Sequence, residues 1–321
     1  MHFYMNCLCE IGEYKIGEYV ESILVEKSWD NLTDTAVIRL PKLMVSKGGA
    51  DFKEGDPVTI TMGYSMPRKS VDYNIKVFTG FISKVNPSIP LEVSCEDYSY
   101  WLKKINLKET LKETSLEEVV NKVVDEANKI SPRKIDILGK VPTMKLRQFR
   151  FNNENGAQVF ARLRNYGLVF YFRGNKLYAG FPYHENIGEV AFDLGNNVVD
   201  HQLKYEETEE DVHLIVSSKQ KDNTELVAKR GKESGNTVRV KVEHITDQKV
   251  LEEIADAKIK NMQTEGYKGY LRAFFIPYTT HGMTAEVTDK EQNRVSSHVV
   301  DRVQTTFGQG IRQKIQLGIK I

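Results

Sequence analysis

The sequence predicts an α+β protein that is mainly β, with two related antiparallel β domains and a small α+β domain between them. Three observations predict this. Period-2 alternation dominates both ends of the chain. A turn followed by three strands occurs twice, at 54–97 and at 281–321, in the same order. Between these ends the apolar pattern changes to the 3.6-residue period of helices. Because an internal repeat governs the whole fold, domains are expected at 1–104, 105–187 and 188–321.

In the first domain, Phe3, Met5, Cys7 and Cys9 alternate with polar or small neighbours. Val20 to Glu26 and Thr35 to Leu40 are further strands, with turn chemistry over Trp29 to Asp34 between them. Lys42 to Phe52 is a glycine-containing connection. Then Glu54-Gly55-Asp56-Pro57 turns into Val58 to Met62. Ile75, Val77, Phe81 and Val85 share one parity, with Gly80 mid-run where a strand bends or bulges. Leu91, Val93 and Cys95 alternate in the strand that completes the meander.

In the middle domain, Ser115-Leu116-Glu117-Glu118 is a capping box. Leu116, Val119, Val120, Val123, Val124 and Ala127 continue it as one stripe, giving a helix near 115–129. Lys134 to Ile137 reads as a strand. Val159, Phe160 and Leu163 mark a second helix near 155–166, and Gly167 sits where a C′ glycine belongs. A β-hairpin over 168–181 turns at Gly174-Asn175. In the last domain, Val190 to Asn197 ends in turn chemistry, and Val212 to Ser217 and Thr237 to Glu243 are strands. Lys219 to Gly235 reads as a charged loop, and a helix near 247–263 follows. Leu271 to Ile276 leads into the terminal meander, where Ile311, Ile315, Leu317, Ile319 and Ile321 alternate with Arg312, Lys314, Gln316 and Lys320.

The chain has 321 residues, 40% hydrophobic and 28% charged, with a net charge of +1. That is ordinary for a globular protein, and it supplies no basic field to recruit nucleic acid, so no specific nucleic-acid binding is expected. Three cysteines, Cys7, Cys9 and Cys95, make no disulfide framework and read as small buried hydrophobes. There is no signal peptide and no bilayer-spanning apolar run, so synthesis in the cytoplasm and no membrane insertion are expected.

Catalytic patterns are scarce. His201, His213 and His244 lack the spacing of a metal site. The acidic run Glu206, Glu207, Glu209, Glu210 and Asp211 has no glycine or asparagine to shape a calcium loop and reads as solvated charge. Tyr166, Phe170, Tyr171, Phe172 and Tyr178 could stack on sugars or bases, but their alternation in a hairpin is explained by packing. No nucleophile elbow, P-loop or dinucleotide fingerprint is present. No cofactor and no enzymatic activity are expected.

Four passages resemble the bacteriophage baseplate hub proteins, also called the late control protein D family, whose fold also forms the N-terminal part of type VI secretion spike proteins. Val77-Phe78-Thr79-Gly80-Phe81-Ile82 with Val93-Ser94-Cys95-Glu96-Asp97 is similar to that family's ending of the first barrel. Leu116 to Val120 resembles the helix after it. Asn155 to Leu168 with the hairpin to Tyr178 resembles the helix, glycine and hairpin that follow. Val299 to Val303 with Gln313 to Leu317 resembles the closing strand pair.

The resemblance implies two barrel-like tube domains per subunit and a homotrimer that forms a pseudo-sixfold ring. Such a ring joins a tail-tube protein to a spike among other baseplate proteins, in a virion tail or a related contractile injection particle. Ending at Ile321, the chain leaves no room for an appended spike or lysozyme domain, so a separate spike protein is expected. The outward set Arg312, Lys314, Gln316 and Lys320 is the candidate channel or interface face. The competing readings are a glycosidase-like hydrolase with a carboxylate pair in a cleft and a carbohydrate- or protein-binding β module.

Overall fold

The computed structural model describes residues 4–17, 19–41, 51–66, 71–183, 186–206, 211–220, 223–242, 245–262 and 266–321. The first run of strands is β1 (Tyr4–Ile11), β2 (Tyr14–Ile16), β3 (Ser22–Ser28), β4 (Thr35–Leu40), β5 (Pro57–Met66), β6 (Val71–Asn86) and β7 (Leu91–Glu96). Next come α1 (Ser99–Lys104), β8 (Thr110–Ser115), α2 (Leu116–Asn128), β9 (Asp136–Leu138), β10 (Lys145–Arg150), α3 (Gly156–Leu163), β11 (Val169–Arg173) and β12 (Lys176–Gly180). The last third holds β13 (Glu189–Asp193), β14 (Val198–Glu206), β15 (Val212–Lys219), β16 (Glu225–Gly231) and β17 (Asn236–Lys241). It closes with α4 (Gln248–Met262), β18 (Gly266–Phe274), β19 (Thr284–Asp289), β20 (Arg294–Phe307) and β21 (Arg312–Lys320). The protein is mainly β, and most strand pairings are antiparallel, as the alternation predicts.

The chain forms two compact units. The first comprises 1–100, 187–203 and 269–318; the second comprises 101–186, 204–268 and 319–321. Where the sequence reading has three consecutive domains, 1–100 groups with 187–203 and 269–318, and 204–268 groups with the middle segment.

In the first unit the strands follow one path, β14-β18-β21-β20-β3-β4-β7-β6-β5-β1-β2, with β19 and then β13 branching from β20. Two sets of six strands emerge when β2 is set aside. The first set runs β1-β5-β6-β7-β4-β3, and the second runs β13-β19-β20-β21-β18-β14. Numbering each set in chain order gives the same spatial order, 1-4-5-6-3-2, both times. One pairing differs: β1 runs antiparallel to β5, whereas β13 runs parallel to β19. The 54–97 and 281–321 meanders are therefore the matching central parts of two matching sheets.

The expected parity of β6 does not hold along its whole length. Ile75 and Val77 face the core, but so do Phe78 and Ile82. Register shifts at Ile60/Thr61 and at Ile82/Lys84 are the cause, since each bulge turns the following residues to the other face. Phe81 consequently points away from that core, edge-on to Tyr98 at 5.1 Å and stacked near Tyr100 at 6.1 Å. Gly80 lies between the bulges, and a Cβ there would overlap the carbonyl oxygen of Glu96. The loss of side chain at Gly80 is what lets β6 and β7 close.

The turn from β3 to β4 is fixed by two buried acids. Asp97 Oδ2 accepts from the Asp34 amide at 2.9 Å and Oδ1 from the Ser99 amide at 2.9 Å. Asp34 Oδ1 accepts from the Ser28 amide at 3.1 Å. From the same turn, Trp29 Nε1 donates to Asp301 Oδ1 at 2.7 Å, which fastens β3 to β20.

The second unit is α+β. Ser115 and Glu118 form the expected reciprocal cap of α2, whose buried stripe is the one read from sequence. Asn155 and Gln158 cap α3 in the same way, and Gly167 ends the following turn with φ of 79°. Phe160 of α3 stacks on Phe170 of β11 at 4.6 Å. The β11–β12 hairpin turns at Gly174-Asn175, and β9 adds to it in parallel. β15 lies between β16 and β17, with α4 packed on β15 and β16. β16 occupies part of what reads as a charged loop, because Leu226 and Ala228 are its only apolar inward signals among lysine, arginine and glutamate. The connection at 42–50 lies outside the described residues.

Candidate functional site

β21 positions the candidate face by simple alternation. Gln313, Ile315, Leu317 and Ile319 are buried, while Lys314, Gln316 and Lys320 are exposed and Arg312 is half-buried. Even the inward glutamine is satisfied. Gln313 Nε2 donates to the carbonyls of Phe274 and Pro277, and its Oε1 accepts from the Thr279 amide. That ties the strand to the 275–279 turn and fixes which parity faces out.

β18 pairs antiparallel with β21, so Phe274 lies opposite Arg312, Arg272 opposite Lys314, and Tyr270 opposite Gln316. Two cations sit on aromatic rings as a result: Arg312 over Phe274 at 4.7 Å and Lys314 over Tyr270 at 3.8 Å. Arg272 is paired with Asp200 of β14. Among the described residues neither Arg312 nor Lys314 has a carboxylate partner. These side chains line a groove of about 580 Å³, with His201 and Gln202 from β14 and Gln304 and Thr306 from β20. The structure thus brings Arg312 and Lys314 together; Gln316 and Lys320 lie further along the strand and outside the groove. Sequence reasoning missed Tyr270, Arg272 and Asp200 because their approach depends on strand pairing.

A larger cleft, about 880 Å³, lies within the second unit, lined by Glu113, Glu118, Lys145, Arg147, Lys219 and Gln220 among others. Of the two acids named, Glu118 is committed to the helix cap. Thr114 Oγ1 donates to its carboxylate at 2.6 Å and the Ser115 amide at 3.1 Å, and these bonds hold it below the usual carboxylate range. The opposite shift belongs to Asp34, pushed well above that range by burial and by the neighbouring Asp97. Asp34 is 5% exposed and Asp97 4%, out of reach of a substrate.

His201 and His213 belong to different units, and His244 lies outside the described residues, as do Glu207, Glu209 and Glu210. Among the described residues no group of three or more His, Cys, Asp or Glu side chains could hold a metal ion. The aromatic residues Tyr166, Phe170, Tyr171, Phe172 and Tyr178 are all buried, and Tyr171 stacks on Tyr178 at 4.7 Å, so they pack rather than present rings. All three cysteines are free. No helix among the described residues is long and apolar enough to cross a membrane.

No protein-family model and no curated protein matches the sequence. Solved structures do. A tail protein from Neisseria meningitidis superposes with a TM-score of 0.71 at 12% identity, over 98% of this chain and 96% of that one. The 43 kDa tail protein of prophage MuSo2 from Shewanella oneidensis gives 0.67 at 12% identity, over 97% of each chain. An E. coli protein described as a component of the type VI secretion system, and as similar in structure to the T4 bacteriophage tail proteins gp27 and gp5, gives 0.59 at 11% identity. That match covers 97% of this chain and 76% of the E. coli one. The chain therefore has the fold of phage tail proteins, one shared by a type VI secretion component.

Proposed function

We propose that this chain is a structural hub of a phage tail baseplate or a related contractile injection machine, and that it works by assembly rather than catalysis. Each chain contributes two barrel-like tube domains, three chains close into a ring of six, and the ring joins a tail tube to a spike. The repeated 1-4-5-6-3-2 strand order is the observation that carries this reading. Two matching sheets in one chain let a threefold assembly present a sixfold surface, and a rotational heterologous interface closes such a ring without a ligand. The fold shared with tail proteins supports the same reading.

Light scattering should give a mass three times the chain's 36.8 kDa, and end-on electron microscopy a ring with six lobes around a hole. A protein that stays monomeric, alone and with its tube and spike proteins, would remove the hub reading.

The groove face of β18 and β21 is the surface we assign to an acidic partner in that assembly. Arg312 and Lys314 sit side by side on aromatic rings with no carboxylate partner among the described residues, so charge complementarity is left open. The double substitution Arg312→Glu with Lys314→Glu should leave the melting temperature within a degree or two and lower particle assembly at least tenfold. Normal assembly by the double variant would show that this face is ordinary solvated surface.

A further inference from the structure

We infer that the contact between neighbouring copies is a strand-to-strand junction in which β6 of one copy pairs with the open edge of β14 of the next, repeating the junction that β20 makes with β3 inside the chain. The inference rests on the ring proposed above. It names the surfaces that meet.

The template is printed in the fold. β20 pairs antiparallel with β3 through six consecutive residues, Arg302 to Phe307 against Ser28 to Ile23. β3 is the last strand of the first set, so this pairing joins the edge of one six-stranded set to the long central strand of the other. β14 holds the matching last position in the second set. Its far edge has no strand partner among the described residues, and none of its nine residues is buried. Strand edges left open in this way are sites of strand addition.

The donor strand can be located as closely. Gly55 N donates to Ile82 O at 2.8 Å, and Ile82 N donates to Asp56 O at 2.9 Å. In the second set, Gly282 N donates to Val300 O at 2.9 Å, and Val300 N donates to Met283 O at 2.8 Å. Ile82 and Val300 therefore hold the same place. Beyond Val300, β20 leaves β19 and pairs with β3; beyond Ile82, β6 leaves β5 and has no strand partner on that side among the described residues. Counting on from these anchors, Lys84 stands for Arg302 and Val85 for Val303, both within their strands. Just past the end of β6 at Asn86, Ile89, at 76%, has the highest exposure of any large hydrophobic residue described. A second copy seated on this edge of β6 would cover the residues beside it.

Cysteine pairing tests the junction. Val85→Cys is combined in turn with Leu203→Cys, Lys204→Cys and Tyr205→Cys on β14. Val303→Cys with Lys27→Cys, which face each other inside the chain, is the control. The native thiols compete poorly, because burial pushes those of Cys7, Cys9 and Cys95 up. Mild oxidation should close the control within one chain. At one or more β14 positions it should convert over half of the protein to covalent dimers and trimers, with the trimer as the end product. A trimer by light scattering, with the control closed and no interchain bond at any position, overturns this junction and leaves the hub reading standing. A monomer under all conditions overturns both.

Discussion

Phe160→Ala is expected to lower the stability of the protein by about 3–5 kcal/mol, a cost typical of emptying a buried aromatic site. Phe160 has no exposed surface and lies parallel to Phe170 at 4.6 Å, with an interplanar angle of 6°. It projects from a helix with little room to move. A Cβ on Gly156, the first residue of α3, would already crowd Val123 and Leu102, so the helix cannot slide in to fill the space. The cavity should therefore persist, and the loss should fall at the high end of the range. Phe160→Leu keeps most of the volume but loses the ring pair, which alone is worth about 0.5–1.5 kcal/mol. Urea unfolding should show the midpoint falling in the order wild type, Phe160→Leu, Phe160→Ala, with unchanged slope. A loss below about 1 kcal/mol for the alanine variant would mean that α3 does not anchor its unit.

The elements around Phe160 were legible because their signals are local. Ser115 and Asn155 announce their helices through partners three residues away, and Gly167 and Gly174-Asn175 mark ends and turns by backbone preference alone. Period-2 alternation likewise revealed the two meanders. What the pattern could not show depends on pairing partners distant in sequence. The bulges in β6 come from its fit to β5 and β7, so a single parity puts Phe81 on the wrong face and leaves Phe78 and Ile82 out of the core, although Ile75 and Val77 are placed correctly. The excursion of 204–268 leaves no mark, since the chain changes unit within β14 and again within β18, where no turn or linker signals a boundary. The shared strand order of the two sets is invisible for the same reason. Of the candidate face, Arg312 and Lys314 could be read from alternation; their aromatic beds on β18 could not.

Asp97→Ala should be a strongly damaging polar change in the first unit, on the order of 2–5 kcal/mol. It removes the acceptor of two buried amides, those of Asp34 and Ser99, and each buried donor left unpaired costs about 1–3 kcal/mol. Asp34 answers differently, because its charged form is disfavoured where it sits. Burial first, then the nearby Asp97, push its carboxyl well above the ordinary value near 3.8; Lys27 and the Ser28 amide only partly oppose this. Between the unfolded and the raised folded value, the folded chain keeps a proton that the unfolded chain has released. Stability from this group is therefore present at low pH and is lost as pH rises through the folded value. Asp34→Asn keeps an oxygen to accept from the Ser28 amide and cannot ionise, so it should raise the melting temperature at neutral pH. The difference from wild type should shrink toward pH 4, and exposed acids such as Glu126 and Asp193, with shifts of opposite sign, cancel in that comparison. A variant less stable than wild type at pH 7, or a difference independent of pH, would show that Asp34 is ionised and well solvated in the folded chain. The Asp97 result then separates the two roles: one acid of the pair holds the turn, and the other limits the pH range in which that turn is most stable.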